Sequence, residues 1–277
     1  MKPAPFDYVR PRNLEDAVRT LADSKEDVLP LAGGQSLLPL LALRMASVRM
    51  LVDIGRLDAL RQINDAGDHV VIGAAITHAE IEDGQVPDPS RGLMKRVAAR
   101  IAYRAIRNQG TIGGSIAMAD PAADWPACLI ALEAKARIVG PEGGRTVLVA
   151  DLIQDIYTTS LARGELIVAF EIPRLDAGAK TGLAKVVKKT GAFAMSLAIA
   201  ILDDGPHAPR VVLAGAGSRA IRLPMTSDVM QSSISSETVL RDVIGRDLAQ
   251  SMDAKDDYAV RLHSAVVLRA IAEARSK

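Results

Sequence analysis

Cysteine is almost absent from this chain, and aromatic residues are scarce. Its 277 residues hold one cysteine, Cys128, with one tryptophan, three phenylalanines and four tyrosines. A single thiol closes no internal disulfide and cannot by itself hold an iron–sulfur cluster. It is compatible with a reducing cytoplasm. With so few aromatics, the core must be built mainly from Ala, Val, Leu and Ile. An excess of either charge is also lacking. Lys and Arg number 34 against 33 Asp and Glu, a net charge of +1, which gives no broad electrostatic reason for nucleic acid or an anionic membrane as partner. Apolar runs such as 193–202 are too short to span a bilayer as a helix, and Met1-Lys2-Pro3-Ala4-Pro5 does not read as a secretory signal. No repeat or low-complexity tract occurs. His69, His78, His207 and His263 show no ligand spacing, so no metal site is expected, and no nucleophile–base constellation for hydrolysis stands out. The fingerprints G-x-G-x-x-G and G-K-[ST] are missing, which argues against a Rossmann dinucleotide site and a P-loop. The expectation is a cytoplasmic protein, long enough for two or three compact units.

Two short glycine-rich stretches are present instead: Leu31-Ala32-Gly33-Gly34-Gln35-Ser36 and Thr111-Ile112-Gly113-Gly114-Ser115. Paired glycines suit a tight turn or a close backbone approach, and free N–H groups in such a turn attract phosphates. Two such loops in one chain fit a ligand with two adjacent phosphates, a dinucleotide. Residue types alone leave a second reading open, in which the hydroxyls of Ser36, Thr111 and Ser115 only close turns.

Apolar spacing places helices at 13–22, with Asn13 as cap, and at 36–45, 90–102, 125–134, 238–252 and 257–276. Val260, Leu262, Val266, Val267, Ala270 and Ile271 are expected inside the last of these. Strands are expected at 28–32 (short and buried), 50–54, 69–74 and 165–172, with a hairpin of 136–139 and 145–149 turning through Glu142-Gly143-Gly144. A three-stranded antiparallel sheet of 182–189, 194–202 and 210–215, separated in part by Asp204-Gly205-Pro206, should precede the final helices. Three units follow, 1–55, 56–176 and 177–277, in an α+β chain. Cys128 falls on the apolar face of a helix and reads as a small buried residue.

At the glycine stretches the chain resembles a known family. Ala32-Gly33-Gly34-Gln35-Ser36-Leu37-Leu38-Pro39 is similar to the first FAD-binding motif of the flavoprotein (medium) subunits of molybdenum hydroxylases. These belong to carbon-monoxide-dehydrogenase-type enzymes, and the same domain occurs within xanthine dehydrogenase. Ile106-Arg107-Asn108-Gln109-Gly110-Thr111-Ile112-Gly113-Gly114-Ser115, continued by Ala119-Asp120-Pro121-Ala122-Ala123-Asp124-Trp125-Pro126, resembles the second. The likeness runs from Phe6-Asp7-Tyr8 to the C-terminal helix. It implies a two-part FAD-binding fold of the molybdopterin dehydrogenase type followed by an antiparallel sheet with helices, with FAD held between the second and third units and against the first.

The resemblance also implies roles. Residues Leu31 to Ser36 and Thr111 to Ser115 would contact FAD. Asp124 would touch the flavin nucleotide through its carboxylate, although it is equally placed to cap a helix. Ile167 would meet flavin through its backbone. Lys185 would stand near the flavin ring, where the alternative is a solvated lysine beside Lys188 and Lys189. Phe193 would flank the ring. Three departures from the family pattern stand out: Ala192-Phe193 in place of a frequent Asp-Tyr, Ser115 in place of asparagine, and Gln35 in place of a frequent histidine. By the same resemblance the chain is an electron-transfer subunit of a heterotrimer, single or dimerised. Its partners would be an iron–sulfur small subunit, which supplies electrons, and a molybdopterin large subunit. A free-standing FAD oxidoreductase and a flavin-free assembly protein are the alternatives.

Overall fold

Leu14, Ala17, Val18 and Leu21 share one helical face. The structure realises it as α1 (Leu14–Asp23), with Ala17, Val18 and Leu21 buried. The Asn13 side chain caps it, accepting from the Asp16 N–H at 2.8 Å. In this computed structural model, which describes residues 2–23, 27–203, 209–231, 236–252 and 256–277, α1 lies between β1 (Asp7–Val9) and β2 (Val28–Leu31). Then come α2 (Leu37–Ala42) and β3 (Met50–Asp53). The strands form a parallel sheet in the order β1-β3-β2. Central β3 buries Leu51 and Val52. The strand expected to be buried, β2, is instead half-exposed because it lies at the sheet edge. Helix α2 is also shorter than expected. Arg44 adopts φ 57°, and the N–H groups of Arg44 and Met45 return to the carbonyls of Leu41 and Leu40, a Schellman stop.

The middle of the chain carries β4 (Ile63–Asp65), β5 (His69–Gly73), α3 (His78–Glu82), α4 (Leu93–Ala99), α5 (Arg104–Arg107), α6 (Ile112–Met118) and α7 (Asp124–Ala131). These are followed by β6 (Lys135–Gly140), β7 (Gly143–Leu148), α8 (Val149–Leu152), the ribbon β8 (Ile153–Asp155) and β9 (Thr158–Thr159), and β10 (Leu166–Pro173). Five strands pair in the order β4-β5-β10-β6-β7, antiparallel throughout. The core beneath them is aliphatic around Trp125 and Phe170, the largest fully buried side chains. The β6–β7 turn is Pro141-Glu142 rather than the Glu142-Gly143-Gly144 expected, because Gly140 and Gly143 already pair. Helix α4 is shorter than 90–102, starting after Gly92 (φ 82°) and ending before Ala102 turns left-handed.

The last third forms an antiparallel meander of β11 (Lys180–Val187), β12 (Ala194–Leu202), β13 (Arg210–Ala214) and β14 (Ile221–Arg222). That is one strand more than expected, since two residues are too few to show alternation. It is backed by α9 (Pro224–Gln231), α10 (Glu237–Ser251) and α11 (Asp257–Arg275). Helix α11 lies on β11 and β12 and buries His263, Val266, Val267, Ala270, Ile271 and Ala274, while Val260 and Leu262 stay half-buried. The fold is α+β. Asp204-Gly205-Pro206 and His207 lie outside the described residues.

Candidate functional site

The two glycine stretches touch each other. A Cβ on Gly33 would overlap the carbonyl of Gln109 and lie 2.8 Å from the Gly110 α-carbon. The space that glycine leaves open is therefore filled by the other motif's backbone. A Cβ on Gly113 would lie 2.5 Å from the Ala74 Cβ and 2.6 Å from its carbonyl oxygen.

The loops differ in what they leave free. In the second, the N–H groups of Ile112 and Gly113 donate to the carbonyls of Ile76 (3.0 Å) and Ala74 (2.9 Å), and Ser115 donates to Thr111 (3.1 Å). The Gly114 N–H donates to the Thr111 hydroxyl at 3.1 Å, capping α6. In the first, the N–H groups of Gly33, Gly34, Gln35 and Ser36 meet no acceptor among the described residues, while the Gln35 amide donates to the Gly33 carbonyl at 3.0 Å. The first loop thus keeps backbone donors for an anion, and the second offers the hydroxyls of Thr111 and Ser115. Helices α2 and α6 have six and seven residues, under two turns each, so the donors are individual N–H groups rather than a long helix end.

Both loops line one cavity of about 590 Å³. Of the residues expected at the site, Leu31, Ala32, Gly33, Gly34, Gln35, Ser36, Thr111, Gly113, Gly114, Ser115, Asp124, Ile167, Lys185 and Phe193 all line it. Ile112 does not; it is fully buried in the core. Residue patterns missed His78, Ile101, Tyr103 and Asp120, which also line it. Of these, Asp120 lies within the string of the second motif, and His78 sits inside the capping box Thr77-x-x-Glu80.

Asp124 is the first residue of α7, whose cap is Ala123, so the capping role is not realised. Its oxygens face the Lys185 ammonium at 2.8 and 2.9 Å. Lys185 also donates to the Arg100 carbonyl at 3.0 Å. The side chains of Lys185 and Asp124 are 6% and 5% exposed, so Lys185 is not solvated. Burial pushes the Asp124 carboxyl above the usual carboxylate range, with Lys185 opposing the rise. Phe193 stands at the rim, 60% exposed.

Behind the second loop, buried Trp125 donates its indole N–H to Nδ1 of His78 at 2.9 Å, which leaves the neutral ring's proton on Nε2. Burial, with Arg107 nearby, lowers the His78 pKa to about 4. A histidine held neutral in the fold costs stability as pH falls through the interval between its unfolded and folded values. Wild-type stability should accordingly drop from pH 6.5 downward, by on the order of 3 kcal/mol at pH 4. Urea denaturation across that range should show His78→Asn, which keeps an acceptor for Trp125, falling less steeply. Parallel curves would remove His78 as the cause. Cys128 is fully buried, with its thiol pushed up by burial. Among the described residues, no group of His, Cys, Asp and Glu could hold a metal ion, and no helix is long and apolar enough to cross a membrane.

Comparison with known proteins extends over nearly the whole chain. Residues 4–175 match the family model described as FAD binding domain in molybdopterin dehydrogenase. The chain is 34% identical to the 6-hydroxypseudooxynicotine dehydrogenase complex subunit alpha of Paenarthrobacter nicotinovorans, covering 99% of this chain and 96% of that protein. It is 38% identical to the glyceraldehyde dehydrogenase medium chain of Sulfolobus acidocaldarius, covering 78% and 77%. Among solved structures, the carbon monoxide dehydrogenase from Hydrogenophaga pseudoflava that lacks the Mo-pyranopterin moiety of its molybdenum cofactor superposes with a TM-score of 0.93. The identity is 31%, over 100% of this chain and 99% of that one.

Proposed function

Because this chain belongs to the FAD-binding medium subunits of the molybdenum hydroxylases, we propose that it takes electrons from an iron–sulfur partner and passes them to an external acceptor. FAD, the cofactor of this oxidoreductase family, supplies the electron storage when bound. The observation that carries its placement is the contact of the two glycine motifs beside one cavity, with four consecutive backbone donors on the first that meet no acceptor among the described residues. The cavity volume lies within the range of small-molecule sites, roughly 300–1,000 Å³.

In this reading the N–H groups of Gly33, Gly34, Gln35 and Ser36 hold the pyrophosphate, and the hydroxyls of Thr111 and Ser115 add side-chain contacts. Leu31, Ala32 and Ile167 wall the cavity. Gly113 and Gly114 keep the second loop close to its neighbours, while Ile112 anchors that loop in the core without meeting the ligand. Asp124 and Lys185 form the polar end, with the ammonium toward the ring edge, and Phe193 covers the rim. Hydroxylation belongs to a molybdopterin large subunit and cluster chemistry to a small one.

Co-expression with small and large chains of this enzyme class should recover a complex containing iron, sulfide, molybdenum and about one FAD per copy of this chain. Acid precipitation should release that FAD, because the binding is noncovalent. A chain that stays colourless with excess FAD, alone and in the complex, overturns the flavin site. A chain that binds FAD and turns over substrate without partners overturns the electron-transfer role.

A further inference from the structure

Residues Gly191, Ala192 and Phe193 of the turn 188–193 between β11 and β12 line the cavity, and that turn has a single hydrogen-bonded tie to the middle of the chain among the described residues. Tyr103 provides it, donating its hydroxyl to the Thr190 carbonyl at 2.7 Å. Gly191 (φ 82°) packs closely against the Tyr103 ring. A Cβ there would overlap ring carbons and lie 2.9 Å from the hydroxyl oxygen. Ring and glycine are thus complementary in shape, as hydroxyl and carbonyl are in polarity. The turn's internal bond, from the Ala192 N–H to the Lys189 carbonyl at 3.1 Å, shapes it without docking it.

The preceding residue explains how Tyr103 reaches across. Ala102 holds φ 40°, a strained conformation for a side-chain-bearing residue, and it redirects the chain between α4 and α5. Tyr103, Gly191, Ala192 and Phe193 all line the cavity. Lys188 and Lys189 are exposed and keep the tip of the turn in water.

We propose that Tyr103 is a positioning residue, a latch that holds the turn 188–193, and with it Phe193, over the flavin nucleotide in the cavity. The latch itself rests on geometry alone; its consequence for FAD rests on the proposed site. Phe193 is 60% exposed; it is carried between this turn on one side and Ala194 on the other, whose N–H donates to the Ala122 carbonyl at 3.4 Å, so the turn sets its place from the N-terminal side. One exposed hydrogen bond is weak enough to open and strong enough to bias the closed state.

The test uses the full chain with Tyr103→Phe, which keeps the ring, Gly191→Ala, which disturbs the close contact with the ring, and Thr190→Ala, which keeps the carbonyl, as control. Without FAD, trypsin should cut after Lys188 and Lys189 faster in the first two and at the wild-type rate in the control. With FAD loaded, Tyr103→Phe should release it about fivefold to tenfold faster, the ratio set by one net hydrogen bond. Its flavin fluorescence should be quenched more readily by iodide, at an unchanged melting temperature for the FAD-free chain. Unchanged cleavage in both variants overturns the latch. Faster cleavage with wild-type FAD release and iodide access overturns its covering role. A wild-type chain that takes up no FAD, alone and in the complex, overturns the flavin site instead, while cleavage still reads the latch.

Discussion

Lys185→Ala is expected to destabilise the FAD-free chain by about 3–5 kcal/mol, the usual cost of stranding one member of a buried ion pair. The Lys185 ammonium spends its donors on Asp124 and the Arg100 carbonyl, and Asp124 is 5% exposed. Once the lysine is removed, the carboxylate loses the ammonium and its two hydrogen bonds, keeping only the weaker help of its own backbone N–H and of Arg100. Its pKa, already raised by burial, rises further. The folded variant then keeps a proton that the unfolded chain releases, so stability falls as pH rises across that interval. The loss should be larger at pH 8 than at pH 5. Combining Lys185→Met with Asp124→Leu should recover most of it, because apolar replacements of a buried pair are often neutral. Urea denaturation of the three proteins decides. A loss below about 1 kcal/mol, the range of exposed pairs, would show that water reaches the pair and that it holds nothing together.

Gly33→Val should abolish FAD uptake and also destabilise the fold, by about 1–3 kcal/mol or more, the cost of overpacking a closed contact. The new side chain meets the Gln109 backbone, which cannot rotate away, so the two glycine motifs must separate. Gly113→Val, against Ala74, should behave alike. Gly178→Val is the control, because a Cβ there meets nothing within 4 Å. Flavin content and melting temperature read both effects. Wild-type stability with FAD retained in Gly33→Val would mean that the motifs are not in contact. A stable chain that alone loses FAD would mean that Gly33 makes room for the ligand rather than for Gln109.

The two glycine strings were legible in the residues, and so were α1 with its Asn13 cap, the apolar spacing of α10 and α11, and the buried Cys128. Each is a local matter, set by turn chemistry, caps and periodicity within about twenty residues. The shortening of α2 was less legible, because the Schellman stop sits on Arg44, a residue type that rarely takes a left-handed turn. Two-residue β14 was too short to show any pattern.

What the chain's residues determined alone was the identity of the loops and the family they belong to. Only the tertiary structure decided how the loops divide the work. Whether a backbone N–H is free depends on the carbonyls that other segments bring to it, and Ala74 and Ile76 satisfy the second loop while no carbonyl among the described residues satisfies the first. In the same way, Lys185 looks like a member of a solvated lysine cluster until folding brings it to Asp124, the first residue of α7. Asp124 lies 61 positions away in the chain, and folding makes the two a dry ion pair. Local sequence cannot encode such a pairing in any readable pattern, because its stability comes from burial, and burial is a property of the packed chain as a whole.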